Sequence, residues 1–267
     1  MSDTNLEALI AGATAYEELL VPALFQEWRS RLIAAAQIEP GDRVLDVACG
    51  TGVLARAAAA RVGPRGSVTG LHPSPGMLAV ARQLAPEIEW RHGVAESLPL
   101  PHQSFDVAVS QFGLMFFTDR RQAVREMLRV LPSGGRIAVA VWDSLDNISA
   151  YAAQVALVQR VAGERSALAL RAPFSLGDRS ELTALFVSAG AARVAVTTHL
   201  GMARFPTLRS MVEADILGWL PLMGTPLTED QVHKVFKEAD EVLSPYVTAD
   251  GKVAFQISVH IVAGTKP

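Results

Sequence analysis

Apolar positions in the first 38 residues recur at helical spacing. Leu19, Leu20, Leu24, Phe25 and Trp28 are separated by the polar Glu17, Glu18 and Arg29, and Pro40-Gly41-Asp42 ends the pattern. From residue 43 the chain alternates short apolar runs with helical stretches. Strands are expected at 43–48, 67–72, 88–92, 105–110 and 136–142, with helices at 53–61, 75–84 and 121–131 between them. Ser74-Pro75 starts the second of these helices, and Pro132-Ser133-Gly134-Gly135 stops the third. Buried apolar strands alternating with helices call for a parallel sheet covered on both faces. The second half reads differently: helical at 147–172, a helix at 178–189 ending on Gly190, a strand at 193–200, helical again at 207–245, and a long alternating strand at 253–263. Seven strands are therefore expected, with two helical insertions placed to cover one edge of the sheet.

This pattern predicts a single α/β domain. Its parts are an N-terminal helical cap (1–38), a ligand-binding core (39–142), a helical insertion with a helix and strand six (143–204), a helical lid (205–250) and a last strand (251–267). The chain has 267 residues, half of them apolar, enough for a substantial core. A net charge of −3 argues against a nucleic-acid partner. One cysteine excludes an internal disulfide and fits a reducing compartment. The polar start Met1-Ser2-Asp3-Thr4-Asn5 lacks the look of a signal peptide, and no run of about 18 apolar residues is free of charge, so a cytoplasmic protein with no membrane span is expected.

The chemistry concentrates after the first strand. In open α/β sheets ligands bind beyond the carboxyl ends of the strands. There, Gly50 and Gly52 let the backbone approach a ligand, and free N–H groups favour a carboxylate or phosphate. A plain tight turn for helix packing explains the same glycines. Gly50-Thr51-Gly52-Val53-Leu54-Ala55 also satisfies a dinucleotide pattern. Asp46, four residues before Gly50, tilts the choice: a carboxylate is unhelpful to a pyrophosphate and suits a ligand bearing an ammonium group.

Val44-Leu45-Asp46-Val47-Ala48-Cys49-Gly50-Thr51-Gly52 resembles motif I of the class I S-adenosylmethionine (SAM)-dependent methyltransferases. Ala95-Glu96-Ser97-Leu98-Pro99, Ser104-Phe105-Asp106 and Glu126-Met127-Leu128-Arg129-Val130-Leu131-Pro132-Ser133-Gly134-Gly135 resemble further family signatures in the same order. The small-molecule enzymes of quinone biosynthesis are the most similar group. The resemblance implies a Rossmann-like, mostly parallel sheet with N-terminal helices and helical cap insertions. It also implies SAM as co-substrate and direct methyl transfer to a small, fairly apolar acceptor. The cofactor contacts it implies are Tyr16 from the N-terminal helix, Asp46, Ala48, Cys49, Gly50, Thr51 and Gly52 from the loop, His72, Pro73 and Met77 after strand two, Val94, Ala95 and Glu96 after strand three, and Ser110 and Gln111 after strand four. Catalytic residues are not assigned, and the six histidines show no metal-ligand spacing.

Two positions depart from the family. His72 stands where an acidic residue ends strand two and holds the ribose hydroxyls, and Val94 stands where a second acidic residue meets the adenine amino group. Compensation by backbone and water preserves SAM binding. The alternative is a repurposed site, in a protein that catalyses a non-methylating reaction or only binds a ligand. His199 is a candidate base for a hydroxyl acceptor, Trp142 a candidate pocket wall, and residues 219–223 a candidate lid. Core packing explains Trp142 and residues 219–223 equally, and a packing or surface role is the commoner one for a histidine placed like His199.

Overall fold

The computed structural model describes residues 3–267. Met1 and Ser2, at the polar start of the chain, lie outside the described residues. Helix α1 (Asp3–Ala15) continues into a π-helical segment (Tyr16–Phe25), a 3₁₀ turn (Gln26–Trp28) and α2 (Arg29–Ala35). Strand β1 (Arg43–Val47) follows, then α3 (Val53–Val62), β2 (Ser67–His72), α4 (Pro75–Leu84), β3 (Glu89–His92), β4 (Val107–Gln111), α5 (Arg120–Arg129) and β5 (Arg136–Trp142). After these come α6 (Ser149–Ala162), α7 (Glu164–Arg171), α8 (Arg179–Ala189), β6 (Ala192–Phe205), α9 (Leu208–Glu213), a second π-helical segment (Ala214–Trp219), α10 (Leu220–Leu222), α11 (Glu229–Val242) and β7 (Val253–Thr265).

All seven strands join one sheet in the order β3-β2-β1-β4-β5-β7-β6. The first five are parallel; β1, β4 and β5 are nearly continuous in buried apolar side chains, as strands covered on both faces must be, while the edge strand β3 exposes Glu89, Arg91 and His92. β7 pairs antiparallel with β5 and with β6. The expected strand 193–200 extends to Phe205, because β7 pairs with it along its whole length. Strand order reverses between β1 and β4, which places the topological switch point at the loops after Val47 and Gln111.

Two family-like motifs lie away from that point and tie the frame together. Asp106 receives hydrogen bonds from the backbone N–H and the guanidinium of Arg43, locking the start of β4 to β1. In the last turn of α5, Glu126 accepts from Leu98 N–H, and Arg129 donates to the carbonyls of Leu98 and Leu100. That pair fixes the segment after β3.

Apolar side chains form two cores. One runs along both faces of the sheet. The other lies among α6, α7, the second π segment and α11, with Val158, Ile216, Leu220 and Val235 fully buried. The two insertions thus pack on each other and make a cap with its own core. Within the cap, the expected lid 219–223 is split: Leu220 is buried, while Leu222 is 73% exposed.

The N-terminal run differs from its sequence reading. Residues Asn5–Ala35 form one helical stretch with a mean hydropathy of 1.4 in its most apolar window, long and apolar enough by those measures to cross a membrane. Here the stretch lies on the domain. Leu9 packs against Gly76 of α4, Glu27 accepts from Met202 N–H of β6, and Arg31 donates to Leu200 O.

Trp90 on β3 lies across its strand neighbour Gly70, and its indole N–H donates to Ala85 O at 2.9 Å. A Cβ on Gly70 would sit 2.3 Å from the indole ring. Gly70→Ala is therefore expected to lower stability by about 1–3 kcal/mol in urea denaturation, as overpacking does. Adding Trp90→Leu should restore part of the loss, and a neutral Gly70→Ala would show that the ring yields freely.

Candidate active site at the switch point

The chain leaves β1 through a strained turn. Ala48 adopts φ +60°, Gly50 +57° and Gly52 +91°. The last two suit glycine, whereas Ala48 holds a conformation that L-residues rarely adopt. Across the switch point Phe112 has φ +57°. Strain on both sides of one crevice is typical of a built ligand site.

Between these turns sit acceptors without donors. Asp46 is 1% exposed and neither carboxylate oxygen has a hydrogen-bond partner. Burial pushes its carboxyl up to about 8; the Ala55 N–H, outside hydrogen-bond geometry, pulls the other way. Ser110 Oγ and Gln111 Oε1 are also buried and unpartnered, while Gln111 Nε2 donates to Phe25 O. Buried polar atoms are almost always paired in folded proteins, so this concentration at one strand edge marks a place for a ligand rich in donors. An ammonium group fits: it brings three N–H donors and the charge that Asp46 lacks.

The N-terminal π segment covers the loop. Tyr16 Oη would stand 3.6 Å from a Cβ on Gly50, and burial drives its phenol above the usual range. Thr51 Oγ1 donates to Glu17 at 2.5 Å, and Arg56 pairs with the same carboxylate at 2.6 Å. The sequence reading missed Glu17 because it sits amid ordinary helical polar residues, with no motif to single it out. Cys49 is buried, and burial raises its thiol pKa well above normal, so it is no activated nucleophile.

At the end of β2, His72 Nδ1 accepts the Ser74 N–H at 3.0 Å. Burial holds the imidazole neutral, with a pKa lowered to about 4. The free nitrogen therefore carries the proton, and His72 offers the crevice a donor. A donor thus stands where the family pattern has a carboxylate acceptor. Pro73 is exposed, and Met77 N–H caps α4 on Ser74 Oγ at 3.4 Å. After β3, Val94 is 46% exposed and Ala95 is buried. Glu96 does not face the crevice freely: its Oε1 accepts from Thr118 N–H at 2.8 Å, with Asp119 N–H at 3.4 Å. It anchors the loop before α5.

Five aromatic rings gather at the carboxyl ends of β4 and β5. Phe112 and Trp142 stack at 3.8 Å, and Phe25 lies 5.5 and 6.1 Å from them. Tyr16 stacks on Phe25 at 5.3 Å, and Trp28 meets the pair edge-on. Trp142 is thus part of an aromatic wall beside the unpartnered acceptors.

The histidines near the end of the chain lie elsewhere. His199 is on the edge strand β6, three strands from β4 and so roughly 14 Å away across the sheet, with Thr197 as its 3.0 Å partner. It does not reach the crevice, which corrects its candidacy as a base. His260 is buried and held by Asp143, Thr198 and Gly177 O at 2.9–3.0 Å, bracing β5, β6 and α8. Its cavity of about 520 Å³, and a second of about 610 Å³ between α9 and α11, both lie away from the switch point.

Residues 45–139 match the family model described as a methyltransferase domain. Over 128 residues the chain is 41% identical to a ubiquinone/menaquinone biosynthesis C-methyltransferase of Xanthomonas campestris, covering 46% of this chain and 51% of that protein. Over 143 residues it is 38% identical to a 2-phytyl-1,4-naphtoquinone methyltransferase of Thermosynechococcus vestitus, covering 51% and 64%. The chain spans about half the length of the curated relatives it matches. A solved putative methyltransferase from an antibiotic biosynthesis pathway of Anabaena variabilis superimposes with TM-score 0.64 at 19% identity, over 88% of this chain and 96% of that one.

Asp46 bears on stability with a definite sign. Its folded pKa lies above its unfolded value, so the ionised form is disfavoured by folding. The cost is absent below about pH 4, grows as pH rises, and is complete above about pH 8. Asp46→Asn is expected to leave the ligand-free protein unchanged at pH 4 and to stabilise it by a few kcal/mol at pH 8. Melting curves across that range check this; equal effects at both ends would contradict a buried, raised carboxyl.

Proposed function

We propose that this chain, whose residues 45–139 match a methyltransferase domain and whose fold is that of the class I methyltransferases, transfers a methyl group from SAM to a small, fairly apolar acceptor of quinol type. The observation that carries the reading is the set of unpartnered acceptors around Asp46 at the switch point, which suits the ammonium of a methionine moiety. The Gly50-Thr51-Gly52 turn and the start of α3 serve the carboxylate end. Tyr16 and Glu17 close the site from above, and Pro73, Met77, Val94 and Ala95 border the nucleoside end. The whole chain acts as one domain, in the cytoplasm, its one cysteine reduced.

When bound, SAM supplies an electrophilic methyl group on its sulfonium. The protein's own work is proximity, orientation and exclusion of water. The ring wall of Phe25, Phe112 and Trp142 offers flat apolar surface for an aromatic acceptor beside the acceptor edge of β4. A carbon nucleophile in an electron-rich ring requires no obligatory base at this step. The names of the relatives favour such an acceptor.

A second reading rests on His72 and Val94. A donor and an exposed apolar side chain stand where two carboxylates would grip the nucleoside, which favours a repurposed site that catalyses a non-methylating reaction or only binds a ligand.

Incubation with methyl-labelled SAM and a panel of quinols, phenols and carboxylates tests the proposal. Label is expected in the quinol fraction and to be lost in Asp46→Asn. Transfer to nothing in the panel would contradict it. His72→Asp restores a charged acceptor worth about 1.5–3 kcal/mol, so SAM affinity should rise roughly tenfold or more in calorimetry. Unchanged affinity would place the ribose elsewhere.

A further inference from the structure

The cap holds one further buried polar atom without a partner, on α6, beside a carboxyl of the second π segment. Gln154 is fully buried. Its Nε2 donates to Asp215 Oδ2 at 2.8 Å, and its Oε1 has no partner. α6 has two apolar faces: Ala150 and Tyr151 join the sheet core, while Val155, Leu157 and Val158 join the cap core. Gln154 lies between them, at the seam. An apolar residue would fill that seam at no polar cost, so a buried amide with an open acceptor needs a reason.

Asp215 stands in a π-helical stretch, a helix type found often at functional sites. The residue keeps part of its surface exposed, yet burial pushes its carboxyl up to about 7, against the pull of Gln154. Near neutral pH such a group both gives and takes a hydrogen bond.

The second π segment reaches the turn that follows β4. Trp219, in the same π segment, lies 5.1 Å from Phe116, which follows β4 by five residues. Its indole N–H is held by Ala169 O at 2.8 Å, so this orientation is fixed from the cap side. Tyr151, three residues before Gln154, packs on Phe174 and Phe255 at 5.4 and 5.5 Å. Asp215 is four residues from Trp219 and Gln154 three from Tyr151, so both helices carry an aromatic ring one turn from the pair.

We propose that Gln154 and Asp215 form a hydroxyl-binding anchor in the cap, which holds the phenolic O–H of an aromatic acceptor while the ring lies against the aromatic residues. Gln154 Oε1 accepts from the hydroxyl, and Asp215 completes the contact as donor or acceptor. The inference rests on the methyl-transfer reading for the purpose of the anchor, but the binding site itself stands on the unpartnered atoms. It selects a free hydroxyl: a methyl ether has no proton for Gln154 and would leave Oε1 as unsatisfied as before.

The probes are 1,4-dihydroxynaphthalene and its dimethyl ether, titrated against the full chain by quenching of tryptophan fluorescence. The diol is expected to bind at least tenfold tighter than the ether. Gln154→Met and Asp215→Asn are expected to remove that preference, lowering diol affinity about tenfold and leaving ether affinity unchanged. Melting temperatures identify a variant that merely misfolds, and the shape-conserving Asp215→Asn stands in if Gln154→Met does. Wild-type protein that binds both probes equally, or neither, overturns the anchor, as does a preference that survives both substitutions. SAM affinity, measured in parallel, separates the failures: SAM bound with no preference for the diol refutes the anchor alone, and absence of SAM binding refutes the methyl-transfer reading.

Discussion

Asp46 is buried in the middle strand of a parallel sheet with no hydrogen-bond partner for either oxygen, and most of what surrounds it follows from keeping it there. A carboxylate taken from water into such a place costs several kcal/mol unless something answers its charge. The fold tolerates it by protonation, which is why its pKa rises to about 8. The switch point between β1 and β4 leaves a crevice beside it. The strained turns at Ala48 and Phe112 border that crevice, and Ser110 and Gln111 add further open acceptors. A cationic donor there offsets the cost of burying the carboxyl.

The N-terminal helices and the cap follow from the same need. A charged interaction is strong only where water is excluded. The π segment over Gly50, held by Glu17 to Thr51 and Arg56, excludes water from the loop. The ring cluster of Phe25, Phe112 and Trp142 does so at the acceptor side, and the cap carries a core of its own while Ala150 and Tyr151 of α6 tie it to the sheet core. The bonds of Asp106 to Arg43 and of Glu126 and Arg129 to residues 98–100 hold the frame beneath, far from the chemistry.

Much of this is legible in the residues. Parallel strands read as apolar runs because both faces are buried, so β1, β2, β4 and β5 and their helices fall within about two residues of where the pattern puts them. Asp46 stands out because a carboxylate in such a run is unusual. The parts that escape the sequence depend on tertiary partners. β6 runs five residues past the end its alternation suggests, since β7 pairs with it beyond the reach of the other strands. Glu17 and Glu96 resemble any surface glutamate until Thr51, Arg56, Thr118 and Asp119 are brought to them. His72 marks a departure in the sequence, but only the Ser74 N–H reveals which nitrogen is left to face the ligand. Gln154 and Asp215 are 61 residues apart, and neither belongs to a motif.

The central claim is that the raised carboxyl of Asp46 is the counter-charge of a cationic ligand. Isothermal titration with SAM at pH 7, repeated in buffers of different ionisation enthalpy, measures it directly. An ammonium placed on Asp46 pulls its pKa well below 7, so binding should release close to one proton, and Asp46→Asn should abolish that release together with most of the affinity. Binding with no proton release, or undiminished in Asp46→Asn, would contradict the account.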